Sequence, residues 1–203
     1  MSGDEFLTIS EPGYAQTRVL GSRFIGSALH TKDMEAIESY LVAERKHYHD
    51  ATHWCFAFRI GLGSLENERA SDAGEPKGTA GVPILREIQE RDLANCLVIV
   101  TRYFGGTKLG TGNLARAYAD CAAQALAAAT ITRRRILESW VVTCPFDLVS
   151  VVYHHAQKLN AEVEPLESFA QATFRIRVSP SESALLAATL REESRGRVEI
   201  RPE

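Results

Sequence analysis

Two segments hold most of the side chains that could do chemistry. The first runs Ser71-Asp72-Ala73-Gly74-Glu75-Pro76-Lys77-Gly78-Thr79-Ala80-Gly81, the second Thr101-Arg102-Tyr103-Phe104-Gly105-Gly106-Thr107-Lys108-Leu109-Gly110-Thr111-Gly112. In the first, Asp72 and Glu75 are carboxylates three residues apart. That spacing serves a hard cation, a division of acid and base roles, or ion pairs to Arg69, Lys77 or Arg102. Ion pairs are the expectation. In the second, Gly105, Gly106, Gly110 and Gly112 lie between an apolar run and a helical pattern. A glycine-rich entry to a helix leaves backbone N–H groups unpaired beside a partial positive charge, which suits an anion. Lys108 lies inside the loop, Arg102 before it and Arg116 one turn into the helix, while Tyr103 or Phe104 could stack on a base. A phosphate of RNA, of a nucleotide or of a small metabolite fits this chemistry. The spacing is neither the dinucleotide fingerprint nor the Walker A loop.

Other motifs carry less. His47, His49 and His53 with Asp50 form a His-x-His-x3-His cluster that would have to straddle a helix end, a loop and a strand start, so no metal is expected. His155 falls on an apolar helical stripe and reads as a core histidine. Cys55, Cys96, Cys121 and Cys144 lie far apart in apolar settings, as buried thiols of a reducing compartment do. No nucleophile elbow or zincin motif is present. The chain calls for no catalytic residue and no cofactor.

The elements that must position these loops follow from periodicity. Residues 23–29 read as a first strand, and Thr31 or Asp33 caps a helix reaching residue 46. Residues 54–60 alternate as a half-buried strand. A short helix carries Ile84, Leu85 and Ile88, with Thr79 as its cap. Leu97-Val98-Ile99-Val100 is a buried strand, and residues 112–129 form an alanine-rich helix packed closely on a sheet. Thr132-Arg133-Arg134-Arg135 reads as a linker. Beyond it lies a β-α-β-β-α-β series, with strands at 137–143, 161–166 and 171–178 and a last strand holding Val198 and Ile200. Its second helix starts at the capping box Ser179-Pro180-Ser181-Glu182 and turns Leu185, Leu186 and Leu190 inward.

The 203 residues suit two small domains, divided here as 1–135 and 136–203, and 45% apolar residues suffice for packed cores. Net charge is only −3. Residues 1–135 balance sixteen basic against sixteen acidic side chains; residues 136–203 have seven against ten. Nucleic-acid contact would therefore need a local patch. No signal peptide and no apolar run long enough to span a bilayer is present, so a cytoplasmic location is expected and no membrane partner.

Taken together, Ser22-Arg23-Phe24-Ile25, His53-Trp54-Cys55-Phe56-Ala57-Phe58-Arg59, the first loop through Pro83, and Val100-Thr101-Arg102-Tyr103-Phe104-Gly105-Gly106 through Arg116-Ala117-Tyr118 resemble the IMPACT/YigZ family. The resemblance implies an α+β chain of two domains. The N-terminal domain would share a β-α-β-α-β-α fold with the second domain of a small-subunit ribosomal protein. The C-terminal domain would be ferredoxin-like, similar to the last domain of elongation factor G. It also implies an association with translation, since eukaryotic members restrain a stress-responsive translation kinase. The family's first loop usually reads Asp-Asp-Gly-Glu-Pro; here Ala73 replaces the second aspartate, which removes a ligand if that pair held a metal.

The expected function is non-enzymatic binding of RNA, the ribosome or a translation factor. The alternatives are an enzyme acting on a phosphorylated small molecule and a regulator that contacts only proteins. The candidate binding set is Arg23, Arg59, Asp72, Glu75, Lys77, Thr79, Arg102, Tyr103, Gly105, Gly106, Lys108, Gly110, Thr111, Gly112 and Arg116.

Overall fold

The structure is a computed structural model and describes residues 3–203. It divides into two units, one spanning Phe6–Arg134 and the other Arg135–Glu203 together with the stretch ending at Glu5.

In the first unit, β1 (Glu5–Glu11), β2 (Gly13–Val19) and β3 (Ser22–His30) precede α1 (Met34–His47). Then come β4 (His53–Ile60), β5 (Asn67–Ser71), α2 (Gly81–Glu90), β6 (Cys96–Tyr103), α3 (Thr111–Ala128) and β7 (Thr130–Arg135). Five strands form an antiparallel sheet in the order β2-β3-β6-β4-β5, and β1 pairs with β7 separately. Helices cover both faces. On one, Ile84 and Ile88 of α2 and Tyr118, Cys121 and Ala122 of α3 pack on Phe24, Cys55, Ala57, Val98 and Val100. On the other, Ile37 and Leu41 of α1 pack on Phe56, Phe58, Leu97 and Ile99. Fully burying each of the valine, leucine, isoleucine and phenylalanine side chains among them contributes roughly 1.5–3 kcal/mol, so the sheet is held from both sides. The alanines let α3 approach the sheet very closely. A Cβ on Gly13 would lie 2.1 Å from the Ala125 carbonyl oxygen, so only glycine fits there.

The alternating strand at 54–60 is thus buried on both faces rather than one, because α2 and α3 cover Cys55 and Ala57 on the side that the sequence pattern leaves to solvent, while α1 covers Phe56 and Phe58 on the other. The series β3-α1-β4-α2-β6-α3 is the expected one. Strands β1, β2, β5 and β7 are additions the apolar pattern does not reveal: β5 and β7 are mostly polar and exposed, and polar residues interrupt β1 and β2. Thr132–Arg135 lies in β7 rather than in irregular chain, and the division between the two units falls within it.

In the second unit, β8 (Glu138–Cys144) leads through a short 3-10 turn into α4 (Val149–Lys158). After it follow β9 (Glu162–Leu166), β10 (Ala172–Val178), α5 (Pro180–Glu193) and β11 (Glu199–Pro202). The antiparallel order β11-β8-β10-β9 is that of a ferredoxin-like sheet. Val142, Phe174, Ile176 and Val178 face Val152, Ala156, Leu186 and Leu190. Leu185 is exposed rather than inward. The capping box also does not form: the Ser179 hydroxyl accepts from Arg135, and it is the Asp4 carboxylate that meets the amide and hydroxyl of Ser181 at the start of α5. His155 is buried, with its Nε2 3.1 Å from a Glu193 carboxylate oxygen.

Candidate functional site

Glu75 is the centre of a polar network under the two loops. One of its oxygens accepts from Arg102 Nη1 at 2.6 Å and from the Tyr118 hydroxyl at 2.8 Å; the other lies 3.8 Å from His53 Nε2. The Glu75 and Arg102 side chains are 4% and 6% exposed. A charge this far from water is tolerable only when paired and hydrogen-bonded, and here it is both. β6 alternates, so Arg102 shares the α2–α3 face with Val98 and Val100. Its guanidinium lies 5.4 Å from the centre of the Phe24 ring and 5.5 Å from that of Phe104. Arg102 Nη2 donates to Ser22 Oγ, which also accepts the Gly105 amide, both at 3.1 Å.

These bonds fix the second loop. Thr52 Oγ1 accepts the Phe104 amide at 3.0 Å, while Gly105 packs so tightly on Gly21 that a Cβ would come within 2.0 Å of that backbone. Leu109 is buried and anchors the far end. Gly110, at φ 77°, is the N-cap of α3 and supplies no side-chain acceptor to the first amides of the helix. The result is a cleft of about 380 Å³ lined by His53, Glu75, Pro76, Arg102, Phe104, Lys108, Leu109, Gly110, Thr111 and Leu114. Phe104 is 47% exposed at its edge.

His53 enters this cleft from the start of β4. Its Nδ1 lies 3.0 Å from the Ala73 carbonyl oxygen. A carbonyl only accepts, so Nδ1 donates there, and the ring turns its Nε2 edge toward Glu75. Below them Cys55 Sγ lies 3.3 Å from the Tyr118 hydroxyl and 3.0 Å from the Asp72 carbonyl oxygen. Burial pushes the Cys55 thiol up to about 12 and raises the Tyr118 phenol as well, so both stay protonated and act as donors, not nucleophiles.

The first loop splits its carboxylates. Glu75 makes the expected ion pair with Arg102. Asp72 makes none among the described residues and turns to backbone: Oδ2 accepts the Gly78 amide at 2.8 Å, and Oδ1 accepts Ala80 and Gly81 at 3.0 and 2.9 Å. Burial works against its charge, but the three amides hold its carboxyl below the usual range. Asp72 is thus the cap of α2. Thr79 is not; its hydroxyl donates to the Pro76 carbonyl. The two helix N-termini at this end of the unit therefore differ, α2 closed by Asp72 and α3 open to the cleft.

Of the candidate set, Glu75, Arg102, Lys108, Gly110 and Thr111 line the cleft together. The others do not. Arg23 lies over the Tyr103 ring at 4.1 Å, and Tyr103 donates to Asp50 at 2.7 Å. Arg59 is bound to Glu66 and Asp92. Lys77 and Arg116 are exposed outside the cleft, Gly106 is exposed in the loop and Gly112 is exposed in the first turn of α3. Sequence reasoning placed His53 only in a histidine cluster and did not give Ser22 or Tyr118 a role. The cluster does not close: His47 packs edge-on against Tyr48, His53 faces the cleft, and among the described residues no three metal-ligating side chains converge. The signal for His53 was its place at the first position of β4, on the same side as Cys55 and Ala57.

Residues 20–126 match the Impact N-terminal domain family. An IMPACT family member from Thermus thermophilus is 35% identical over 181 residues, covering 87% of this chain and 96% of its own. The IMPACT family member YigZ of Escherichia coli is 28% identical over 198 residues, 97% of each chain. A crystal structure described only as that of a hypothetical protein superposes with a TM-score of 0.73 at 28% identity, covering 97% of this chain and 96% of the other. With the family matched across more than half of its length, this chain belongs to the IMPACT family.

Proposed function

We propose that this protein is a non-enzymatic binder of RNA that takes one nucleotide unit into the cleft between the two loops. The observation that carries this reading is the open N-terminus of α3 beside Lys108, with Phe104 exposed at the same cleft. A phosphate would sit on the free amides near Thr111 and on Lys108, and a base would stack on Phe104. The Arg102–Glu75 pair forms the floor and its two charges offset each other, so it shapes the cleft instead of supplying net charge. At about 380 Å³ the cleft has room for a single unit, not a run of bases. The resemblance noted above makes ribosomal and messenger RNA the first ligands to try.

A second reading, an enzyme acting on a phosphorylated small molecule, is favoured by one observation: His53 Nε2 opens on the same cleft as Lys108. One experiment separates the two. Short single-stranded RNA and a nucleoside monophosphate are each titrated into the wild type, Lys108→Ala and Phe104→Ala. RNA affinity is expected to fall with salt, and Lys108→Ala to make that slope shallower by roughly one unit. Phe104→Ala should weaken binding by on the order of 1–3 kcal/mol. If the monophosphate binds as tightly as RNA of any length, the small-ligand reading replaces this one. If neither variant changes binding of either ligand, the cleft is structural.

A further inference from the structure

The opposite face of the same sheet carries a second cleft, of about 360 Å³, between α1 and the β2–β3 hairpin. Tyr14 of β2, Ser27 and Leu29 of β3, and Tyr40, Glu44 and His47 of α1 line it. Tyr40, Glu44 and His47 recur at helical spacing, so one stripe of α1 supplies that wall. Glu44 lies part-buried at its base, where Oε1 accepts the Thr101 hydroxyl at 2.9 Å. No ion pair joins Glu44 to a lysine or arginine among the described residues; the one basic side chain acting on it is His47. Burial raises this carboxyl above its ordinary value, as expected of an acid short of positive charge. Tyr14 and Tyr40 remain 62% and 38% exposed.

We propose that this cleft is a docking site for a basic side chain, lysine or arginine, presented by a partner protein: Glu44 would pair with the charge, and Tyr14 and Tyr40 would flank it. The argument is charge complementarity. An apolar side chain seated here would strip water from a carboxylate and return nothing, and an anion would be repelled. A metal ion would find a single carboxylate, too few ligands for a hard cation. A cation satisfies Glu44 and gains from the rings as well, since an ammonium or guanidinium within about 6 Å of a tyrosine ring is attracted to its face. A protein source is favoured over a free amine because Tyr14 stands largely in solvent. Small-ligand sites bury most of their ligand, whereas a side chain can be held by contacts made elsewhere.

The test uses the full chain at pH 8. Chemical shifts are followed while adding three short peptides, identical except for a central lysine, arginine or norleucine, and separately tetramethylammonium. Expected are saturable shifts at Tyr14, Tyr40 and Glu44 with lysine or arginine, at least tenfold weaker with norleucine. Glu44→Gln, which keeps an acceptor for Thr101, should weaken the basic peptides about tenfold, and Tyr40→Leu should weaken them too, with the shift pattern of the fold retained in both. The proposal is overturned if norleucine binds as well as lysine, if Glu44→Gln changes nothing, or if no shift maps to this cleft. Tighter binding of tetramethylammonium than of either basic peptide would overturn the protein source in favour of a small amine.

Discussion

Arg102 and Glu75, 27 residues apart in sequence, meet at 2.6 Å with both side chains almost wholly out of water. Removing either partner leaves the other charge buried and alone. Arg102→Ala is expected to cost about 3–5 kcal/mol, and Glu75→Ala a similar amount. The double variant should cost less than the sum by roughly 1–3 kcal/mol, because the second substitution removes the orphan left by the first. Urea denaturation of the four proteins checks this. Additivity would show that the pair is not coupled.

Asp72 makes a separate, pH-dependent contribution. Its carboxyl is held below the usual range in the folded protein. A depressed folded-state pKa gives stability that is complete above the unfolded value, about 4, and is lost as pH falls through the lower folded value. Asp72→Ala should cost about 1–2 kcal/mol at neutral pH as a lost cap. It should also flatten the acid limb of the stability profile below pH 4. An unchanged limb in thermal melts at stepped pH would remove Asp72 from the cap.

Ala73 sits in the left-handed region, at φ 44°, where asparagine and aspartate are easier residues than alanine. Ala73→Asn is expected to add about 0.5–1 kcal/mol, raising Tm by roughly 1–4 °C. A drop in Tm would mean that the packing of the Ala73 methyl group outweighs its backbone strain.

Protease should find the 3-10 turn at Gly63–Leu65 before it finds β7, since Leu65 is 82% exposed. Thermolysin is expected to cut first within residues 61–66. Trypsin should spare Arg133 and Arg134, which lie in a paired strand. First cuts at 133–134 would restore the linker reading.

How far the fold is legible follows from what periodicity can register. Leu97–Val100 and the alanine stripe of α3 announce themselves because burial selects their side chains. β7 does not, since it reads Thr-Ile-Thr-Arg-Arg-Arg and is held by pairing with β1, a backbone relationship that leaves little mark on side-chain polarity. Glycine density drew attention to segments 71–81 and 101–112. It could not tell the two carboxylates apart, because what separates Asp72 from Glu75 is distance to three amides in one case and to Arg102 in the other. Tyr118 looked like any apolar position of α3. Only its neighbours Cys55 and Glu75, 63 and 43 residues away, give the hydroxyl a task.

The Ile136 amide donates to the Asp4 carbonyl, and the Asp4 carboxylate caps α5 at Ser181, 177 residues later. The unit that holds both is therefore discontinuous in the chain, with the whole of Phe6–Arg134 inserted between its pieces. On a ribosome, at about 5–20 residues per second, Asp4 waits on the order of ten to thirty-five seconds for that helix to be made. The inserted unit has its own strands and both of its loops complete well before then. Synthesis thus imposes an order on this molecule, in which the cleft-bearing unit can be finished while the other still lacks the residues that hold its first segment.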